Sequence, residues 1–77
     1  MDLVIISPEG TRLTENATRV TLPGSMAPFS ILKNHAPLIS TLKKGKVTYI
    51  ADKKIKSFDI EDGVISIEKN VVKILIE

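Results

Sequence analysis

A chain of 77 residues with one histidine and no cysteine offers few places for chemistry, and His35 is the first of them. A histidine acting as general base needs a Ser or Cys nucleophile and an orienting carboxylate close by. The segment Lys33-Asn34-His35-Ala36-Pro37 supplies neither. The acids Asp59, Glu61 and Asp62 form a second group, but strand alternation turns Asp59 and Glu61 away from their apolar neighbours, toward solvent. Gly10, Gly24, Gly45 and Gly63 are isolated, and none sits in a glycine-rich run opening a helix, the arrangement that cradles phosphate. They are turn residues, as are Pro23 and Pro37. With no Cys/His cluster there is no metal site to expect, and no cofactor is implied. Asn16-Ala17-Thr18 matches a glycosylation sequon, but nothing in the sequence suggests secretion.

The lysines are the remaining candidates. Lys43, Lys44, Lys46, Lys53, Lys54 and Lys56 fall at two neighbouring turns, where they would make a basic patch. A small β-barrel that binds nucleic acid adds aromatic residues for stacking on bases, and that is the alternative function. Only Tyr49, Phe29 and Phe58 are available here, and both phenylalanines fall on apolar positions. Solvated lysines blunting strand edges account for the pattern better. Eleven basic residues against nine acidic ones leave a formal charge of +2, too small and too dispersed for a nucleic-acid footprint.

The elements that would hold these residues are short apolar runs separated by turn residues. Leu3 to Ile6, Thr18 to Leu22, Phe29 to Leu32 and Leu38 to Leu42 are read as strands. Lys46 to Ala51, Ile55 to Ile60, Val64 to Glu68 and Val71 to Ile76 follow as a meander. Ser7-Pro8-Glu9-Gly10, Pro23-Gly24 and Lys43-Lys44-Gly45 interrupt the runs. Asp62-Gly63 is expected to form a type I′ hairpin turn, in which positive φ is required. No segment holds a period of 3.6 residues for two turns, and Val, Ile and Thr are abundant. The expectation is one all-β domain over 1–77, a flattened antiparallel sandwich or barrel of two sheets with about eight to ten short strands.

Hydrophobic residues make up 43% of the chain, which excludes disorder. No window approaches the roughly 18 apolar residues of a membrane span, and no signal peptide opens the chain. A soluble, intracellular protein is expected.

From Val20 to Leu42 the sequence reads V-T-L-P-G-S-M-A-P-F-S-I-L-K-N-H-A-P-L-I-S-T-L. It resembles the N-terminal domain of ATP synthase ε subunits, matching at Leu22, Pro23, Gly24, Ile31, Leu32, His35, Ala36, Pro37, Leu38 and Gly45. The opening Ile5-Ile6-Ser7-Pro8-Glu9-Gly10 and the closing stretch from Gly63-Val64 to Val71-Val72 look like that family's first and last strands. The departures are Ala27 and Ser30, where the family favours glycine, and Lys33-Asn34, where it favours Pro-Gly. Asn34 tolerates the left-handed conformation.

The resemblance implies a non-catalytic rotor subunit of a proton- or sodium-driven ATP synthase, peripheral on the cytoplasmic face of a bacterial inner membrane without insertion into it. It implies that His35 and Ser40, with Ser7, meet the γ subunit. Ser25, Met26, Ala27 and Pro28 would meet the polar loops of the c ring. The two-helix hairpin with which most family members continue finds no counterpart in these residues. The inhibitory and ATP-sensing roles that belong to it are therefore not expected here.

Overall fold

The structure, a computed structural model, describes residues 1–76. Among them it has nine strands and no helix: β1 (Asp2–Ser7), β2 (Gly10–Asn16), β3 (Arg19–Leu22), β4 (Phe29–Leu32), β5 (Leu38–Leu42), β6 (Gly45–Ala51), β7 (Lys54–Ile60), β8 (Gly63–Glu68) and β9 (Val71–Ile76). They form a five-stranded sheet in the order β2-β1-β9-β8-β5 and a four-stranded sheet in the order β4-β3-β6-β7. The pairing is antiparallel except between β1 and β9, which run parallel at the middle of the larger sheet.

Alternate residues face each other across the two sheets. Leu3, Ile5, Ile65, Ile67, Val72 and Ile74 from the larger sheet meet Val20, Leu22, Ile31, Val47, Tyr49 and Ala51 from the smaller. The period-2 pattern of these β-branched runs leaves one solution for each strand, because a slip of one residue would turn its apolar set outward. Arg19 points out while Val20 and Leu22 point in, as the alternation predicts.

β2 is the strand that the sequence conceals. Thr11-Arg12-Leu13-Thr14-Glu15-Asn16 has one apolar residue, Leu13, because an edge strand needs little burial. The turns also differ from expectation. Both residues of the pairs Asp52-Lys53 (φ 52 and 60) and Lys69-Asn70 (φ 49 and 65) are left-handed, the signature of type I′ hairpins. Asp62-Gly63 is no hairpin. Gly63 is not left-handed, and β7 and β8 lie in different sheets, so the second half is two hairpins joined by a crossover and not a meander. Gly63 is required instead by contact, since a Cβ there would lie 2.8 Å from the carbonyl oxygen of Leu75. Among the described residues Gly10 alone of the glycines has positive φ, at 122°, closing the Ser7-to-Gly10 turn.

The lysines do not form one patch. Gly45 pairs with Ile60 and Ala51 with Lys54, so Lys43 and Lys44 lie at one end of the β6–β7 hairpin and Lys53 and Lys54 at the other. Seven residues of strand separate them by roughly 20 Å.

The two sides of the sandwich close differently. On one, Gly24 bridges to Leu42, and the amide of Lys43 donates to the Pro23 carbonyl at 2.9 Å. On the other, the edge strands β2 and β7 are joined by side chains. Lys56 stands opposite Tyr49 and Glu15 opposite Leu3, so both start from core-facing positions, and the Lys56 ammonium donates to the Glu15 carboxylate at 3.1 Å. That hydrogen bond, with the attraction of the carboxylate's charge, raises the Lys56 pKa above its ordinary value of 10.5. A raised lysine contributes stability below the unfolded-state pKa and loses it as pH climbs through the folded one. The urea midpoint of Lys56→Gln is therefore expected to fall below that of the parent at pH 8. The two should converge above about pH 11, and a gap unchanged across that range would contradict the pairing.

Candidate functional site

The chemistry-bearing residues are distributed over two ends of the sandwich. One end gathers the β3–β4 connection, the turn before β6, and the starts and stops of β8 and β9. The connection from Pro23 to Pro28 is pinned at its base. The Ser25 amide donates to the Thr41 carbonyl at 3.2 Å, and the Thr41 hydroxyl donates to Ser25 Oγ at 2.9 Å. Pro23 and Gly24 are buried. The loop folds so tightly over Gly24 that a Cβ would collide with the Ala27 carbonyl oxygen and lie 2.7 Å from the Phe29 ring. Beyond that anchor, Ser25, Met26, Ala27 and Pro28 are all exposed, and Met26 is 98% exposed. The thioether thus stands in water at the tip of a pinned loop. Lys44 and Glu61 approach to 3.8 Å nearby, both well exposed, and a pair so solvated contributes little.

The opposite end holds residues 33–37 between β4 and β5. Asn34 is left-handed (φ 64), the conformation that asparagine tolerates. Its amide donates to Asn70 Oδ1 at 2.9 Å, while the Asn70 carbonyl accepts from the Asp2 amide at 2.9 Å. One residue of the β8–β9 turn thus holds this loop through its side chain and the start of β1 through its backbone carbonyl. His35 is exposed on the tied loop. Its Nδ1 lies 2.7 Å from the Ala36 carbonyl, and because a carbonyl only accepts, Nδ1 is the donor in that contact. No nucleophile or carboxylate bonds to the ring among the described residues. Among them, too, no group of three His, Cys, Asp or Glu side chains is placed to hold a metal.

The other two residues expected beside His35 are elsewhere. Ser40 is half-buried in the middle of β5, in register with Ile65. Ser7 is 7% exposed at the end of β1, three strands away, at the Met26 end, and its hydroxyl donates to the Gly10 carbonyl at 3.3 Å. Ser25 to Pro28 form one continuous surface. His35, Ser40 and Ser7 do not.

A further surface lies on the side of the larger sheet opposite to Ser40. On the outer face of the larger sheet, Thr41, Val64, Leu75 and Ile6 stand side by side across four strands, with Ile39 next to Thr41 on β5. Ile39 is 77% exposed, and Val64 and Leu75 are partly so. The signal was available, since Leu38 and Ile39 are adjacent in a strand and must face opposite ways.

Comparison with known proteins gives a consistent family. The pattern described as "ATP synthase, Delta/Epsilon chain, beta-sandwich domain" matches residues 1–77. The ATP synthase epsilon chain of Desulfitobacterium hafniense is 40% identical over 73 residues, covering 95% of this chain and 55% of the relative. That of Chlorobium limicola is 38% identical over 76 residues, covering 97% and 86%. The chain thus spans little more than half the length of the Desulfitobacterium relative. Among solved structures, a chain of the Tetrahymena thermophila mitochondrial ATP synthase central stalk and c ring superimposes with a TM-score of 0.83 at 17% identity, over 99% of this chain and 62% of that one. A chain of the Euglena gracilis mitochondrial ATP synthase OSCP/F1/c-ring assembly gives 0.89 at 18% identity, over 96% and 48%. At those identities the likeness is one of fold.

Proposed function

Since the chain belongs to the family of ATP synthase delta/epsilon β-sandwich domains, we propose that it is a non-catalytic part of the rotor of an ion-driven ATP synthase, clamping the foot of the γ shaft to the c ring. The observation that carries this reading is the placement of its two family-like loops at opposite ends of one packed sandwich. A rotor coupling must pass torque between two partners without deforming, and a close-packed interior resists deformation. The Met26 loop is the face offered to the c ring. His35, with the exposed Ile39 on the adjoining strand, is the face offered to γ; Ser40, the neighbour of Ile39, points to the opposite side of its sheet. Ser7 has its hydroxyl turned into its own turn, so any contribution from it comes through backbone. The bacterial relatives support a position on the cytoplasmic face of an inner membrane.

The two faces are expected to fail separately. Met26→Asp places an unpaired charge in a contact that loses water, and should weaken docking to the ring by roughly tenfold or more while γ binding persists. His35→Asp should weaken γ binding and spare the ring. Pull-downs of each variant against γ and against detergent-solubilised c ring, with circular dichroism as the folding control, read both effects. If both folded variants held both partners like the parent, these contact assignments would be wrong.

A further inference from the structure

Residues 33–37, the loop that carries His35, are exposed throughout. Among the described residues, one hydrogen bond joins them to a distant part of the chain, from the Asn34 amide to Asn70 Oδ1 at 2.9 Å. Asn34 is left-handed at φ 64, which sets the direction in which the chain leaves toward His35. Within the loop, the Ala36 carbonyl accepts from His35 Nδ1 at 2.7 Å. The imidazole is thus held against a loop that is itself fastened by one side chain of the β8–β9 turn.

Turn geometry does not require asparagine at position 70. The β6–β7 and β8–β9 hairpins have the same two-residue connection, Asp52-Lys53 and Lys69-Asn70, and both residues of each pair are left-handed. Lys53 and Asn70 occupy the same place in it, at φ 60 and 65, yet the Lys53 side chain makes no hydrogen bond or ion pair among the described residues. Glycine would suit that place best, because it reaches positive φ without strain. The half-buried asparagine supplies what neither glycine nor lysine has, a side-chain oxygen that accepts from a backbone amide. Its own backbone carbonyl accepts from the Asp2 amide at 2.9 Å, so it reaches the loop from a fixed base.

We infer that Asn70 is a positioning residue for the γ contact: its side chain presets the loop 33–37 in the shape in which His35 meets the partner. The inference rests on the proposed function for the identity of that partner, and on the Asn34–Asn70 bond for the presetting. A loop ordered before the encounter spares binding the cost of ordering it. Without the bond, apparent affinity falls in proportion to the fraction of molecules whose loop has the competent shape.

The test uses the isotope-labelled full chain and the variants Asn70→Gly and Asn70→Asp. Glycine keeps the left-handed turn and removes the acceptor, whereas aspartate keeps the acceptor and tolerates positive φ. In the free chain, hydrogen exchange at the Asn34 amide is expected to quicken roughly three- to tenfold in Asn70→Gly and to stay within about twofold of the parent in Asn70→Asp. The amides of Ile65 and Ile74 should exchange as in the parent. The dissociation constant for γ should rise by roughly three- to tenfold in Asn70→Gly. In a His35→Ala background the same change should matter by less than about twofold, because the side chain acts through His35. Asn34 exchange that is unchanged in Asn70→Gly, that quickens as much in Asn70→Asp, or that quickens together with Ile65 and Ile74 would overturn the presetting. A loss of γ binding as large in the His35→Ala background as in the parent would overturn the route through His35. A parent chain that ignores γ would instead sink the rotor reading, and the exchange result alone would decide whether Asn70 presets the loop.

Discussion

Ile65→Ala is expected to cost about 2–5 kcal/mol and to bring the chain close to unfolding at room temperature. Ile65 is fully buried at the middle of β8, in register with Ile74 on one side and Ser40 on the other. Truncation removes most of an apolar side chain and leaves a hole that two hydrogen-bonded sheets cannot easily collapse to fill. At roughly 0.05–0.15 kcal/mol per residue, 77 residues give a total of about 4–12 kcal/mol. One truncation therefore consumes a large share of it, and no disulfide offsets the loss. Ile65→Val, which deletes a single methylene, should cost only about 0.5–1.5 kcal/mol. Urea titrations followed by circular dichroism measure both. Equal and small losses in the two variants would mean that this part of the interior is loosely packed.

Gly24→Ala is expected to be nearly as damaging, for a reason that has nothing to do with backbone freedom. Gly24 is not among the left-handed residues, so alanine suits its dihedral angles. The obstacle is space: the new methyl group would press on the Ala27 carbonyl oxygen and on two atoms of the Phe29 ring. Phe29 packs against the core, and the loop can yield only by lifting away from β5, breaking the Ser25–Thr41 bonds. Overpacking of this kind costs about 1–3 kcal/mol. The same movement should displace Met26 and, on the function proposed above, weaken docking to the c ring even in molecules that stay folded. Gly10→Ala is the informative contrast. A Cβ there meets nothing within 4 Å, so its cost comes from the φ of 122° alone and should leave the Met26 loop untouched. Ring docking that survived Gly24→Ala but not Gly10→Ala would reverse the argument.

Much of the sandwich is legible because β-branched alternation is a strong signal wherever one face is buried. Val20 and Leu22 point inward and Arg19 outward as the pattern requires. The failures share a cause, which is that local sequence does not say which sheet a strand joins. Asp62-Gly63 has hairpin chemistry, yet it connects β7 to a strand in the other sheet, while Lys69-Asn70 makes a type I′ turn without glycine. β2 escapes notice because an edge strand with Leu13 as its one apolar residue has almost no pattern to read. The Met26 loop and the His35 loop are both visible from their residues. Their arrangement at opposite ends depends on β4 running straight, which no residue type reports.

The parallel partnership of β1 and β9 has a consequence for how the molecule comes into being. The first of the nine described strands sits in the interior of the larger sheet, and one of its two neighbours is the ninth, so β1 cannot complete its pairing until β9 has been synthesised. Until Val71–Ile76 emerges, β1 has only β2 to pair with, and its inner face, with Leu3 and Ile5, has no finished interior to enter. The β6–β7 hairpin and its pairing with β3 can form early, because those contacts are nearer in sequence. The larger sheet must wait and then close the loop from Asp2 to Val71. Ordering so long a loop before any contact rewards it is slow, and places this topology among domains that fold in milliseconds to seconds. During synthesis β1 and β2 are thus an exposed two-stranded ribbon, the stage at which the nascent chain is most open to pairing with the wrong strand.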